Sequence, residues 1–220
     1  MDRLFTLYRR HYGRNHQYVR PLTGSASNRQ YFRLGDGQSS CIGVVGVNPD
    51  ENRAFIAMAA HFRLKGIPVP EVYAASDDDV AYIQEDVGDV ALFGMIGSEA
   101  SEEILCRTIR CLPDIQFKGA EDFDFSICHP IRKFDRRLVL FDLNYFKYCF
   151  LKPSGLEFDE NRLQDDFERL ADDLTSVGAD TFMYRDFQAR NVMVKDGNPC
   201  FIDFQGGMRG PIYYDVASFI

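Results

Sequence analysis

The stretch from Tyr184 to Phe204 constrains this chain more than any other. It reads Tyr-Arg-Asp-Phe-Gln-Ala-Arg-Asn-Val-Met-Val-Lys-Asp-Gly-Asn-Pro-Cys-Phe-Ile-Asp-Phe. Asp196-Gly197-Asn198 is a turn signal between two β-prone runs, 192–195 and 199–203, so the spacing predicts a β-hairpin. With Gly197 at the symmetry centre, Met193 faces Phe201 and Asn191 faces Asp203, within about one residue of register. Two oxygen-bearing side chains then meet at the open end. Such a pair suits a hard cation of the Mg²⁺ kind, which takes few ligands from protein and leaves the rest to water and phosphate. Asp186, five residues before Asn191 in a polar loop, falls near the same end. A carboxylate placed there can orient or deprotonate a hydroxyl nucleophile.

The remainder of the 220 residues can enclose such a site. At 45% hydrophobic, with 19 Phe and 11 Tyr, the chain has apolar volume for one large domain or two small lobes. Leu4, Leu7, Tyr8, His11 and Tyr12 predict a helix over about residues 2–16. Extended runs at 19–22, 30–34 and 41–47 predict an antiparallel three-stranded start. A helix over about 51–65 follows, stopped by Gly66, then a hairpin from 72–75 and 80–85. From about Ser98 the texture turns helical: 98–112, a long segment starting at Pro130 and running through Tyr148, and about 159–177. The change places a lobe boundary in 86–97. The expectation is an α+β protein with an amino-terminal lobe at 1–90 and a carboxy-terminal lobe at 91–220.

Charge is uneven. Residues 1–33 hold seven Arg against Asp2, a surplus of six in a chain whose net charge is −8, so the remainder carries −14. The acidic total argues against a nucleic-acid partner, whereas the local basic patch suits a small anionic ligand. No apolar run approaches the roughly 20 residues of a membrane span, and the amino terminus lacks the apolar stretch of a signal peptide. A cytoplasmic protein with no membrane partner is expected. Cys41, Cys106, Cys111, Cys128, Cys149 and Cys200 form no CxxC pair and read as reduced core thiols, and the four His are too scattered for a ligand cluster.

On these residues the chain resembles a known family. Tyr184-Arg185-Asp186, followed by Asn191, is similar to the kinase catalytic loop with Tyr in place of His, and Ile202-Asp203-Phe204 to the metal-binding strand end, with Gln205 where Gly is usual. The branch resembled is the aminoglycoside phosphotransferase and choline kinase-like family. Asp203-Phe204-Gln205, the segment 210–218, and the stretches 134–137 and 144–147 look most like bacterial anomeric kinases of N-acetylmuramate and N-acetylglucosamine.

The resemblance implies a two-lobed protein kinase-like fold, a small antiparallel sheet lobe joined to a mainly helical one. It implies transfer of the γ-phosphoryl group of ATP to a hydroxyl of a small-molecule acceptor, an amino sugar in the branch resembled, with Mg²⁺ as cofactor. Asp186 takes the role of catalytic base, Asn191 and Asp203 of metal ligands, and Asp215 of a brace for the loop. Gly24, Ser25, Ala26, Ser27 and Asn28 occupy the place of the phosphate-covering loop. The strand 41–47 carries no Lys for the phosphates, so Arg29 or Arg33 is expected to compensate. Gln84, Glu85 and Val87 correspond to the adenine-binding hinge, and Arg185 and Arg190, as candidate substrate residues within the catalytic loop, favour a neutral or anionic acceptor. Relatives continue past 215–218 into helices that wall the acceptor pocket, so the C-terminal part of the fold is expected to be missing here. The competing readings are an aminoglycoside, choline or other amino-alcohol kinase, and a nucleotide-binding pseudokinase.

Overall fold

A computed structural model describes residues 1–22 and 28–219. Helix α1 (Asp2–Tyr12) is shorter than expected, because Gly13 takes φ 69° and closes it with an N–H donated to the Arg9 carbonyl. The strands β1 (Tyr18–Leu22), β2 (Gln30–Gly35), β3 (Ser40–Val45), β4 (Val72–Ala75) and β5 (Ala81–Glu85) form one antiparallel sheet in the order β1-β2-β3-β5-β4. The period of two sorts its side chains between two cores. Leu34, Cys41, Ala81 and Ile83 meet Leu4, Leu7 and Tyr8 of α1. Gly43 allows that approach, since a Cβ there would lie 2.6 Å from Leu34 Cδ1 and 2.9 Å from Leu4 Cδ1.

Helix α2 (Pro49–Leu64) covers the other face. Asn48 caps it by accepting from the Asp50 and Glu51 N–H groups, and Pro49 fits the first turn, where no intrahelical donor is needed. Its Phe55, Met58 and Phe62 join Ile42, Val44 and Tyr82 of the sheet in the largest core, which continues into Phe182, Tyr184, Phe201 and Phe204. Phe55 stacks on Phe204 at 4.7 Å, and Phe62 meets Phe182 edge-on at 4.9 Å. Helix α2 is thus the bridge that seats the sheet on the chemistry-bearing segment.

A single turn, α3 (Leu92–Met95), leads to α4 (Ser101–Pro113), which continues as a π turn through Lys118. The predicted helix start at Pro130 is not observed: α5 (Arg136–Phe146) begins six residues later, where Asp135 accepts from the Leu138 N–H. An aspartate cap competes better for the start than a proline lacking a capping side chain before it. Helix α6 (Glu160–Thr175) packs on α5, with Arg136 of α5 reaching Asp172 at 2.7 Å. Strand β6 (Thr181–Met183) pairs with β9 (Met208–Gly210), and between them β7 (Val192–Lys195) and β8 (Asn198–Phe201) form the predicted hairpin. Helix α7 (Ile212–Phe219) closes the described chain. The sheet followed by a mainly helical part is the expected α+β arrangement. Among the described residues no helix is long and apolar enough to cross a membrane.

Candidate active site

Strand β6 delivers the loop that begins at Tyr184. The backbone N–H groups of Tyr184 and Arg185 each donate to the Asp215 carboxylate at 2.9 Å, and Gln116 Nε2 adds a longer bond at 3.3 Å. Asp215 is fully buried at the start of α7. Burial pushes its pKa up, and the three donors work against that rise. Arg185 holds φ 74°, a left-handed turn that makes the chain change direction just before Asp186. The Tyr184 hydroxyl donates to the Ile202 carbonyl, so the residue standing in place of histidine ties the loop to the strand end. Asn191 Nδ2 donates to the Asp186 carbonyl at 2.9 Å, which leaves the Asn191 amide oxygen for another partner.

The hairpin register differs by one from the expectation. Val192 pairs with Phe201, Met193 with Cys200 and Lys195 with Asn198. Asp196 and Gly197 both take positive φ, 51° and 73°, the signature of a two-residue turn whose twist matches its strands, so the symmetry centre lies between them. Ile202 therefore stands opposite Asn191, and its N–H donates to the Asn191 carbonyl at 3.0 Å. Asp203 reaches the site another way: its φ of 67° turns the backbone after β8, and Gln205 Nε2 holds its carboxylate at 2.6 Å. Asn191, Asp203 and Gln205 line one cavity. Burial raises the Asp186 pKa, the neighbouring Asp203 charge raises it further, and Arg185 only partly offsets them. Two carboxylates this close suit a divalent cation. Among the described residues no group of three or more His, Cys, Asp or Glu is placed to hold a metal ion by itself.

The cavity, about 450 Å³, lies between the sheet and the hairpin. Leu22, Ile42, Tyr82 and Gln84 line it from the sheet, Phe55 from α2, and Met193 and Ile202 from the hairpin side. Val87 closes one edge. Glu85 turns elsewhere, its carboxylate paired with Lys195 and 3.7 Å from Arg63. Arg33 borders the cavity with its guanidinium 2.7 Å from Asp86 and 2.8 Å from Asp89. Arg29 is buried just before β2, 3.2 Å from the Glu51 carboxylate on α2, with its guanidinium over the Phe55 ring. Arg190 borders the cavity and lies over Phe93 at 4.5 Å, whereas Arg185 is 3.7 Å from Asp142. Asn28 is exposed; Gly24, Ser25, Ala26 and Ser27 lie outside the described residues.

The basic patch is less free than its charge suggests, because Arg3 pairs with Asp78, Arg14 with Asp36, Arg29 with Glu51 and Arg33 with Asp86. The cysteines need a correction too: Cys41, Cys128 and Cys200 are buried, but Cys106 and Cys149 are exposed. Both exposed thiols sit on helical segments beside apolar neighbours, and a neighbour in sequence is not a neighbour on a helix face. Glu51, Phe55, Tyr82 and Asp142 belong to the site region and were not read from the sequence, and Gln205 was read as the residue where Gly is usual but not as the partner of Asp203. Gln205, two residues past Asp203, is the one a local reading could have found.

The chain matches the phosphotransferase enzyme family (APH) over residues 19–220. It is 25% identical over 201 residues to an N-acetylmuramate/N-acetylglucosamine kinase of Pseudomonas aeruginosa, covering 89% of this chain and 57% of that protein. It is 27% identical over 203 residues to the enzyme of the same name from Neisseria meningitidis, covering 89% and 58%. The chain thus spans little more than half the length of the curated relatives it matches. Among solved structures, a thermostable mutant of aminoglycoside phosphotransferase APH(4)-Ia, in ternary complex with AMP-PNP and hygromycin B, superposes with a TM-score of 0.67 at 16% identity, covering 99% of this chain and 75% of that one. The likeness is one of fold: the two-lobed, kinase-like arrangement of the aminoglycoside phosphotransferases. With the family match extending across the sheet, the hairpin and α7, this chain belongs to the APH phosphotransferase enzyme family.

Proposed function

We propose that this protein transfers the γ-phosphoryl group of ATP to a hydroxyl of an amino sugar, the anomeric hydroxyl of N-acetylmuramate or N-acetylglucosamine. Residues 1–90 form the nucleotide-binding lobe and 91–220 the catalytic lobe. The observation that carries the reading is the convergence of Asn191 and Asp203 on one cavity with Asp186 beside them. The names of the curated relatives favour the sugar acceptor.

In this mechanism the adenine enters the apolar end of the cavity, beside Gln84, Val87 and the backbone of Glu85, whose side chain points away, with its phosphates directed toward the hairpin. Arg29 joins the sheet to α2 through Glu51, the link that a lysine on β3 makes in protein kinases, while Arg33 braces the 86–89 turn. Asn191 and Asp203 would hold Mg²⁺, which when bound neutralises charge on the phosphate oxygens. The Asp186 carboxylate accepts the proton of the acceptor hydroxyl as that oxygen forms its bond to the γ-phosphorus and the bond to the ADP oxygen breaks. Arg185 and Arg190 flank the loop where a neutral or anionic acceptor docks. Most of the acceleration comes from positioning and charge neutralisation, because phosphoryl transfer asks little covalent chemistry of the protein.

The test is ATP consumption with Mg²⁺ against N-acetylmuramate, N-acetylglucosamine, aminoglycosides and choline, with wild type and Asp186→Ala. Turnover is expected with the amino sugars, falling about a thousandfold in the variant while its thermal unfolding stays cooperative. Equal turnover in the two proteins refutes the role of Asp186. Turnover with choline or an aminoglycoside alone replaces the acceptor.

A further inference from the structure

The strand 41–47 offers no lysine to a polyanion, and the arginines of the sheet wall are engaged elsewhere. Arg29 is joined to Glu51, and Arg33 lies 2.7 Å from Asp86 and 2.8 Å from Asp89. Arg190 differs from both. It lines the cavity from the 3₁₀ turn Ala189–Asn191, and among the described residues its guanidinium makes no ion pair and no hydrogen bond. The two arginines of the catalytic loop therefore part company. Arg185 lies 3.7 Å from Asp142 and is the cation that works against the rise in the Asp186 pKa, whereas Arg190 borders the cavity with Gly88, Asp89 and Met193. Arg190 is also held in place: its guanidinium lies over the Phe93 ring, 4.5 Å from the ring centre. Phe93 is 51% exposed, and Leu92 beside it is fully buried and anchors α3. A guanidinium resting on an aromatic ring keeps its N–H edges free, and the ring removes part of the entropy cost of fixing a long side chain.

We propose that Arg190, propped on Phe93, is a phosphate-binding residue of this site, and that its guanidinium N–H groups donate to a phosphate oxygen of the bound nucleotide. This rests on the nucleotide-binding reading of the cavity. It gives the nucleotide a side chain whose place in the loop, taken alone, points to the acceptor. The positive charge then comes from the hairpin wall, opposite the strand that lacks a lysine. Arg190 and Asn191 are adjacent in one short turn, so a single backbone element presents both a cation and an amide oxygen to the polyphosphate. The planar fork of arginine can make two parallel bonds to one phosphate, which a lysine ammonium cannot. Phe93 acts through Arg190 and is a positioning residue.

The test uses the 220-residue chain and two ligands, ADP with Mg²⁺ and adenosine, which shares the base and ribose but carries no phosphate. Affinities are measured by calorimetry for wild type, Arg190→Met, Arg190→Lys and Phe93→Leu. Arg190→Met is expected to weaken ADP binding about tenfold and to leave adenosine within about twofold. Arg190→Lys recovers part of the loss, because the charge returns without the flat fork. Phe93→Leu weakens ADP binding about twofold to threefold, since the guanidinium loses its platform. Both side chains are exposed, so the fold is expected to survive, and thermal unfolding checks each variant. Equal ADP affinity in wild type and Arg190→Met overturns the assignment and leaves the nucleotide site intact. An equal loss for ADP and adenosine also overturns it, because Arg190 then packs against the nucleoside. If wild type binds neither ligand, both the assignment and the reading of the cavity fall.

Discussion

The two walls of the cleft treat charge in opposite ways. On the sheet side, cations are matched by neighbouring acids: Arg33 lies between Asp86 and Asp89, and Arg29 against Glu51. On the hairpin side, burial and the neighbouring Asp203 charge raise the Asp186 pKa, and Arg185, which only partly offsets them, is 3.7 Å from Asp142. The first wall is finished by folding, and the second is left with surplus negative charge. Burying like charges is expensive unless something arrives to neutralise them, so a protein retains such an arrangement where a ligand completes it. The sheet wall is therefore read as scaffold, and the hairpin wall as the reacting surface.

The largest effect should come from removing what holds the reacting surface in place. Asp215→Ala leaves two buried backbone N–H groups, those of Tyr184 and Arg185, without their acceptor. A loss of about 3 kcal/mol is expected, which for a chain of this size lowers Tm by about 6 to 12 °C. Asp215→Asn retains an acceptor oxygen and should recover part of it. Thermal unfolding reads both, and a drop of about a degree or less for Asp215→Ala would mean the loop is held by other contacts.

Next comes the sheet wall. Arg33→Met strands Asp86, whose side chain is 10% exposed and keeps, among the described residues, Ser40 and the Gly88 N–H as donors. A cost of about 2 kcal/mol follows. Burial would push the Asp86 pKa up, but the bonds from Arg33 and Ser40 outweigh it and hold it below the usual carboxylate range. The sign then follows: a carboxyl with a lowered folded pKa contributes stability above its unfolded value, near about 4, and loses it as pH falls. Wild type and Arg33→Met should differ most at neutral pH and converge below about pH 4. A gap that persists in acid would place the effect in packing.

A smaller effect is expected at Gln205. Its Nε2 holds Asp203 at 2.6 Å, so Gln205→Leu frees that carboxylate without removing it. Groups that orient a ligand without touching the metal typically contribute about tenfold in metal affinity. The Mg²⁺ concentration needed for half-maximal nucleotide binding should rise by about that factor. An unchanged requirement would show that the backbone turn at Asp203 suffices.

The same contrast explains what was legible in the sequence. Local chemistry was readable: the hairpin and helix α2 follow from turn residues, caps and spacing within short stretches, whereas Asp203 joins Asn191 through a positive-φ turn that spacing did not show. The one-residue register error arose because a centre at Gly197 ignores that Asp196 also accepts positive φ. Pairings across the chain were not readable. Arg29 with Glu51 and Arg33 with Asp86 and Asp89 join residues 22 to 56 positions apart, and charge composition names no partners. The start of α5 was missed for a related reason, since Pro130 and Asp135 are both start signals and the capping side chain prevailed.

Two buried thiols allow the comparison of walls to be made directly. Cys41 lies in β3, flanked by β2 and β5, and Cys200 in β8 of the two-stranded hairpin. Burial pushes both pKa values up to about 12, so at neutral pH neither is reactive in the closed state, and labelling reports opening. A strand with neighbours on both sides loses two ladders when it opens, whereas β8 loses one, together with the bond from the Phe201 N–H to the Pro68 carbonyl. Local openings are drawn from the least supported elements. In mild denaturant, alkylation should therefore reach exposed Cys106 and Cys149 at once, then Cys200, and Cys41 only as the whole chain unfolds. Mass spectrometry of peptides resolves the order. If Cys41 is modified before Cys200, the sheet is the weaker wall, and the division of the cleft into a finished scaffold and a ligand-completed surface fails.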